Sequence, residues 1–126
     1  MYFEQRDRNG FTILECYGRI DEGDTNQFLK TIEQLHGQGK QAIIVNLTPV
    51  YFLDPKVVNL FIFANEFFES HKGRFYLVSP LSSVKNELIR SKITEKILTF
   101  ETLYDALHRP HSAYSENSTV LAQTSS

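Results

Sequence analysis

The segment 43–58 constrains the fold of this chain more than any other. It begins with the run Ile-Ile-Val-Asn-Leu, which is typical of a strand buried on both faces. A short turn with Pro49 follows, and then Asp54-Pro55, which predicts a helix start because aspartate caps helices and proline suits the first helical position. In open α/β sheets, function usually lies where a strand end leads into a helix. We therefore expect the rest of the chain to form a scaffold around this loop.

Strands and amphipathic helices alternate through most of the sequence. Two strands, 1–8 and 11–18, are joined by Asn9-Gly10, the strongest short signal for a β-hairpin. The further predicted elements are a helix capped by Asp24 and ending near His36-Gly37, a strand over 41–47, a helix over 56–71, a strand over 74–79, a helix from Ser82 or Ser83 to Arg90, a strand over 96–100 and a helix opening at Thr99 or Phe100. This order predicts an α/β fold with a mixed, largely parallel sheet of four or five strands and about four helices.

The helix predicted over 56–71 carries one broad apolar stripe, which should pack on the sheet. The stripe consists of Val57, Leu60, Phe61, Ala64, Phe67 and Phe68. Val58 and Ile62 fall outside it, and Ile62 lies almost opposite its centre. They are either scattered surface residues or part of a partner-binding patch beside the loop.

Size and composition indicate one ordinary globular domain. The 126 residues suit a single core, which we assign to residues 1–108, whereas the polar composition of 109–126 predicts a disordered tail. The net charge of -2 gives no electrostatic footprint for nucleic acid. No signal peptide is evident, and no apolar run is long enough for a membrane span. The single cysteine, Cys16, is predicted to be a core residue and fits a reducing compartment. We infer a cytoplasmic protein.

Sequence motifs for catalysis or cofactor binding are missing from the chain. Neither GxGxxG nor GxxxxGK[ST] occurs, and there is no GxSxG elbow. The four histidines are scattered, and Cys16 has no evident base. Capping and turn chemistry explain Asp21 and Asp24. We therefore expect no catalytic residue, no cofactor and no metal site, and predict that the protein is not an enzyme.

An ordered set of short segments, spread over about residues 3–108, resembles the STAS domain of anti-sigma factor antagonists and of sulfate-transporter cytoplasmic regions. The segments are Gly-Arg-Ile-Asp at 18–21, Ile-Ile-Val-Asn-Leu at 43–47, Val-Tyr-Phe-Leu-Asp at 50–54, Gly-Arg-Phe-Tyr-Leu-Val at 73–78 and Ser-Pro at 79–80. The resemblance implies a small α/β fold with helices packed on the sheet. It also implies a bacterial regulator in transcription and signal transduction, which acts through protein–protein interaction.

The sequence departs from the family at its regulatory loop. STAS domains of this kind usually read Asp-Ser-Ser or Asp-Ser-Thr and then Gly, and the second hydroxyl accepts a phosphoryl group from a partner kinase. The matching residues here are Asp54, Pro55, Lys56 and Val57. Because lysine cannot accept that group, the usual switch, which adds about -1.5 to -2 charges, is predicted to be missing. Lys56 is either a neutral residue on a solvated turn or a lysine that pairs with an acidic partner.

The leading hypothesis is a non-enzymatic STAS module that docks an anti-sigma factor or kinase-like protein without phosphorylation at the usual site. The partner-binding surface should combine the loop, the start of the next helix and the turn before the first helix, because strand ends and helix starts meet at one edge in this fold. The predicted residues are Asp21, Asp24, Leu53, Asp54, Pro55, Lys56, Val58 and Ile62.

Several alternatives stay open. The protein could be a constitutive subunit of a transporter ATPase or a signalling scaffold, which would explain the loss of the switch. It could instead sense a small ligand or nucleotide, with an anion held by backbone amides after Pro55, although proline contributes none. The phosphoacceptor could also have moved to one of Thr48, Ser70, Ser79, Ser82 and Ser83. A homodimer is a further option, whereas direct membrane insertion is not expected.

Overall fold

The computed structural model describes residues 2–80 and 82–108, and the predicted tail over 109–126 lies outside the described residues. The strands are β1 (Tyr2–Arg8), β2 (Phe11–Ile20), β3 (Ala42–Asn46), β4 (Val50–Leu53), β5 (Arg74–Val78) and β6 (Thr99–Phe100). The helices are α1 (Thr25–Gly37), α2 (Val58–Ser70), α3 (Ser83–Arg90) and α4 (Leu103–Leu107). Short 3₁₀ turns cover Glu22–Asp24, Pro55–Val57 and Ile93–Glu95.

The sheet is mixed and largely parallel, as predicted. Its main path runs β1-β2-β3-β5-β6, and β4 pairs with β2 off this path. Only the β1–β2 pair is antiparallel among the described strands. The hairpin turn lies at Asn9 and Gly10, whose φ angles of 53° and 83° are those that a two-residue type I′ turn requires.

Apolar side chains cover both faces of the sheet. On one face, alternate residues of β2, β3 and β5 pack under α1, α2 and α3, with Phe61 and Phe68 of α2 at most 1% exposed. On the other face, Phe11, Ile13 and Ile44 pack with α4. Strands covered on both sides need apolar residues at every position, which explains the continuous apolar run of β3.

Three details of the predicted fold are wrong. The sheet has six strands, not four or five, because Val50–Leu53 forms β4 against the end of β2 rather than an open loop. The last strand is only Thr99–Phe100, since the backbone N–H groups of Lys96 and Ile97 donate back to the Ile93 carbonyl oxygen instead of to a neighbouring strand. The final helix begins at Leu103, after the cap Thr102, whose side chain accepts a hydrogen bond from the Asp105 N–H.

Candidate functional site

Two turns meet beside the carboxyl ends of β2 and β4. The backbone N–H of Asp54 donates to the carbonyl oxygen of Ile20 over 2.9 Å, which joins the end of β4 to the end of β2. The Lys56 Nζ atom then lies 3.6 Å from the Glu22 Oε1 atom. The turn before α1 and the turn before α2 therefore lie side by side, as the resemblance to the STAS fold implied.

Asp54 and Pro55 begin the second turn in the way that the sequence predicted. The Asp54 Oδ1 atom accepts a hydrogen bond from the Lys56 N–H over 2.9 Å, and Pro55 occupies the first position of the 3₁₀ turn. Since this carboxylate satisfies an otherwise free helix-start N–H, Asp54 stabilises the turn that presents Lys56.

Replacing Asp54 by alanine is expected to lower the free energy of unfolding by about 1 kcal/mol, because an N–H at the start of the turn loses its acceptor. Asp54→Asn is the matched control, since its amide oxygen can still cap. Urea denaturation of the three proteins measures the difference. Equal losses in the two variants would contradict a capping role.

The first turn differs from the predicted one. Asp21, rather than Asp24, is the capping residue: its Oδ1 atom accepts from the Gly23 N–H over 3.2 Å. The Asp24 carboxylate in turn accepts from the Asp21 N–H over 2.8 Å, which completes a capping box. Partial burial raises the pKa of Asp24, but hydrogen bonds such as the one from the Asp21 N–H outweigh it and the pKa is lowered overall. Asp24 thus remains ionised and holds the turn.

Two of the predicted surface residues are not on the surface. Val58 is 3% and Leu53 is 4% exposed, and both belong to the core under the helices. The predicted exposure of Val58 is therefore wrong, and neither side chain can meet a partner directly. Ile62 is half-buried against the same core, whereas Pro55 and Lys56 are exposed.

Strand β4 adds two exposed aromatic residues that the site prediction missed. Tyr51 and Phe52 are 66% and 37% exposed, while Val50 and Leu53 at either end are buried. The Arg19 guanidinium lies 4.3 Å from the centroid of the Phe52 ring, a cation–π contact that holds both side chains in place. The sequence signal was the Val-Tyr-Phe-Leu run, whose residues favour strands.

We call Arg19, Glu22, Tyr51, Phe52 and Lys56 the aromatic–lysine surface. It carries two cations, one carboxylate and two exposed rings, all on β2, β4 and the turns that follow these two strands. The Glu22–Lys56 pair is about 70% exposed on both sides, so its strength is small and Lys56 can exchange Glu22 for another carboxylate at little cost. Such a surface suits contact with a protein that offers apolar and acidic groups.

A polar network holds the loop between β3 and β4. The Asn46 side chain is 4% exposed and donates to the Glu15 Oε2 atom over 2.9 Å. Its Oδ1 atom accepts from both the N–H and the hydroxyl of Thr48, over 3.1 and 2.6 Å. The loop that leads to Tyr51 therefore starts from a fixed point.

The structure also separates the hydroxyls that were considered as alternative phosphoacceptors. Ser79 is fully buried and is excluded as a kinase substrate in the folded protein. The Ser82 hydroxyl caps α3 by accepting from the Lys85 N–H, as predicted. Thr48, Ser70 and Ser83 are exposed, and of these only Thr48 lies in the loop between β3 and β4.

Residues 2–80 and 82–108 form neither a metal site nor a membrane-spanning helix. No three histidine, cysteine, aspartate or glutamate side chains converge on a point where a metal ion could bind. No helix in this part of the chain has the length and apolar character needed to cross a membrane.

Comparison with known protein families identifies the fold. A family model described as the STAS domain matches residues 2–106. The chain belongs to the STAS-domain family. No similar protein was found among curated sequences.

Solved structures of anti-sigma factor antagonists share this architecture. An anti-sigma factor antagonist from Mycobacterium paratuberculosis superposes with a TM-score of 0.76 at 19% identity, covering 84% of this chain and 90% of that one. A putative anti-sigma factor antagonist from Thermotoga maritima has a TM-score of 0.76 at 20% identity, and the match covers 83% of this chain and 91% of that one. The Bacillus cell fate determinant SpoIIAA in its phosphorylated form has a TM-score of 0.65 at 21% identity, and the match covers 86% of this chain and 98% of that one. At these identities the likeness establishes the fold.

Proposed function

We propose that this STAS domain is a cytoplasmic regulator without enzymatic activity, which docks an anti-sigma factor or kinase-like protein and is not phosphorylated at the usual position. The observation that carries the proposal is the environment of Lys56. The residue stands where the family's phosphoacceptor is expected, at the first turn before α2, and its side chain is 71% exposed. A kinase has no hydroxyl to modify there, so docking would be constitutive.

The chemistry of the aromatic–lysine surface suggests how the partner is held. Exposed aromatic and arginine side chains are the groups that most often dominate protein–protein binding energy. Tyr51, Phe52 and Arg19 supply these groups here, and Lys56 supplies a cation at the rim. The partner face is therefore proposed to carry apolar side chains surrounded by carboxylates.

Affinity purification of the tagged chain from its native cells, followed by quantitative mass spectrometry, tests this function. Tyr51→Ala and Lys56→Glu are expected to weaken binding of the recovered partner by about tenfold or more, because one removes an exposed aromatic contact and the other introduces a like charge. The losses are then measured by titration with the purified partner. Melting temperatures should change little, since both side chains are exposed.

The chain offers a matched control for each variant. Tyr104, on α4, is 68% exposed and lies on the other face of the sheet, so Tyr104→Ala should leave partner binding unchanged. Lys92 is exposed beyond the end of α3, which makes Lys92→Glu the control for charge. If the control variants weaken binding as much as Tyr51→Ala and Lys56→Glu, the assignment of the surface is wrong.

The same purification separates the main alternative from the proposal. Recovery of an anti-sigma factor or kinase-like protein, with no phosphate on residues 54–57, supports a regulator that docks without the switch. Recovery of a transporter ATPase or a signalling scaffold would instead support a constitutive subunit. A stoichiometric phosphate on Thr48 would mean that the acceptor has moved within the same loop.

A small-anion or nucleotide sensor is less well supported. The Asp54 carboxylate already accepts from the Lys56 N–H, and Pro55 has no N–H to offer. An anion at this turn would have to displace a carboxylate of the protein itself, and it would meet the repulsion of that carboxylate.

A further inference from the structure

Strand β1 forms an edge of the sheet, and its residues are largely exposed. It pairs with β2 on one side, and six of its seven residues are exposed while Phe3 is half-buried. Edge strands present unpaired N–H and C=O groups, which can pair with a strand of another chain. The question is which strand fits.

The hairpin turn fixes which groups of β1 point outward. Arg8 and Phe11 flank the two-residue turn, so they exchange both backbone hydrogen bonds. Along an antiparallel ladder such pairs alternate with non-bonded ones, and Arg6, Glu4 and Tyr2 therefore also bond toward β2. The N–H and C=O groups of Phe3, Gln5 and Asp7 consequently face the free edge.

We propose that β1 pairs antiparallel with β1 of a second copy of this chain, centred on Gln5. In this register Gln5 faces Gln5, and Phe3 faces Asp7 of the other copy. The outward N–H and C=O groups of Phe3, Gln5 and Asp7 then all find partners in the other copy. Each opposing pair exchanges two backbone hydrogen bonds, which gives six in total. The two five-stranded paths become one continuous sheet across a two-fold axis.

Charge complementarity selects this register. With Gln5 opposite Gln5, Glu4 lies opposite Arg6 on the face of the sheet that also carries Tyr17 and Glu15. The two-fold axis repeats this pair, so two opposite-charge pairs form. Tyr2 lies opposite Arg8 in the same way, which allows a cation to contact an exposed ring.

Two neighbouring registers also pair outward N–H and C=O groups of the two copies with one another, but their side-chain charges are less favourable. A shift in one direction places Glu4 opposite Glu4, and a shift in the other places Arg6 opposite Arg6. Like charges directly opposite each other destabilise a strand pair. The charges of β1 thus disfavour misaligned or unrelated strands and favour one self-complementary alignment.

Among residues 2–80 and 82–108, the contacts of β1 lie away from its free edge. The Glu4 carboxylate accepts from the hydroxyls of Tyr2 and Tyr17, and the Asp7 carboxylate binds Lys40 and Thr12. The Arg6 guanidinium lies 3.6 Å from the Glu15 carboxylate, a partly exposed pair that Arg6 can exchange for Glu4 of the other copy at little cost. These are side-chain contacts on the two faces of the sheet, so they do not occupy the outward backbone groups. The residues are also separate from the aromatic–lysine surface, and the two proposals can fail independently.

Sedimentation equilibrium of the full chain over a range of concentrations tests the dimer. The mass should rise from 14.6 kDa toward twice that value. Glu4→Arg and Arg6→Glu, each alone, turn two attractive pairs into repulsive ones and should raise the dissociation constant at least about tenfold. An equimolar mixture of the two variants should form a heterodimer, because every introduced charge then faces its opposite.

A variant that changes the backbone rather than a charge tests the dimer independently, in case the charge variants misfold. Gln5→Pro removes one outward N–H and no bond to β2, so it should abolish the dimer while circular dichroism and melting temperature stay close to the original. The proposal is overturned if the original chain stays monomeric at several hundred micromolar. It is overturned equally if the single-charge variants dimerise as well as the original, or if their mixture does not pair.

Discussion

Replacing Gly73 by alanine is expected to lower the free energy of unfolding by about 3 kcal/mol, the upper part of the usual cost of overpacking. A Cβ atom on Gly73 would lie 2.4 Å from the carbonyl oxygen of Gln41 and 3.1 Å from that of Phe68. Both are backbone atoms, and the Gln41 oxygen is held by the Arg74 N–H over 2.7 Å. Since neither can move without disturbing β5 or the end of α2, the clash must be relieved by shifting whole elements.

Gly37 provides the matched control for this substitution. It ends α1, and a Cβ atom there would meet nothing within 4 Å. Gly37→Ala should therefore be neutral or raise the free energy of unfolding by roughly 0.5–1 kcal/mol, because alanine favours the helix. Urea denaturation measures both variants. If Gly73→Ala cost no more than about 0.5 kcal/mol, the close approach of the two carbonyls would not be the reason for the glycine.

Gly73 also illustrates what a sequence can and cannot indicate. The helix predicted over 56–71 ends at Ser70 in the structure, shortly before Gly73, and a glycine at such a place is usually needed for a positive φ. In the structure Lys72 has the positive φ of 64°, and Gly73 is required for the close passage of the chain from α2 into β5. The position of the turn is local information, whereas the carbonyl of Gln41 comes from a distant segment.

The order of helices and strands was predictable because it depends on local signals. Asn9-Gly10 determined the hairpin, the continuous apolar run determined β3, and Asp54-Pro55 determined the turn before α2. Strand β4 was missed because it has only four residues, and its pattern of buried ends and exposed centre does not alternate. Its pairing with the end of β2 is a long-range contact, which no local pattern reveals.

The burial of Val58 was missed for a related reason. The buried residues of α2 are Val58, Phe61, Ala64, Asn65 and Phe68. The polar Asn65 hides this stripe in the sequence, so the predicted stripe was rotated toward side chains such as Leu60 and Phe67, which are only half-buried. The 3₁₀ turn over Pro55–Val57 also changes the phase before the helix begins.

The candidate site was predicted in outline and corrected in content. Capping chemistry located the two turns, and the contact of Lys56 with Glu22 shows that they are neighbours. The sequence could not show that Leu53 points into the core while Tyr51 and Phe52 point out, since that depends on how β4 lies against β2 and α3. The exposed aromatic residues, absent from the predicted set, are now the centre of the proposed surface.

Cys16 should make the protein markedly less stable at alkaline pH. The thiol lies in the core, 1% exposed, and burial raises its pKa from 9.0 to about 12. In the unfolded chain the thiol ionises near pH 9.0, while in the folded protein it stays neutral up to about pH 12. Above pH 9 the unfolded state therefore binds fewer protons than the folded one, and the free energy of unfolding falls as pH rises.

Between the two pKa values, this one thiol should lower the free energy of unfolding by about 1.4 kcal/mol per pH unit. At a pH two units above the lower pKa, the loss should reach about 3 kcal/mol. Cys16→Ala removes the titrating group and costs a roughly constant amount from the lost packing, so it serves as the control. Urea denaturation from pH 7 to 10.5 should give the original chain the larger free energy of unfolding at neutral pH. Plotted against pH, the free energies of unfolding of the original chain and of Cys16→Ala should then converge as pH rises. Curves that stay parallel would contradict a buried neutral thiol. Convergence would show that Cys16 stabilises the core only as long as it keeps its proton.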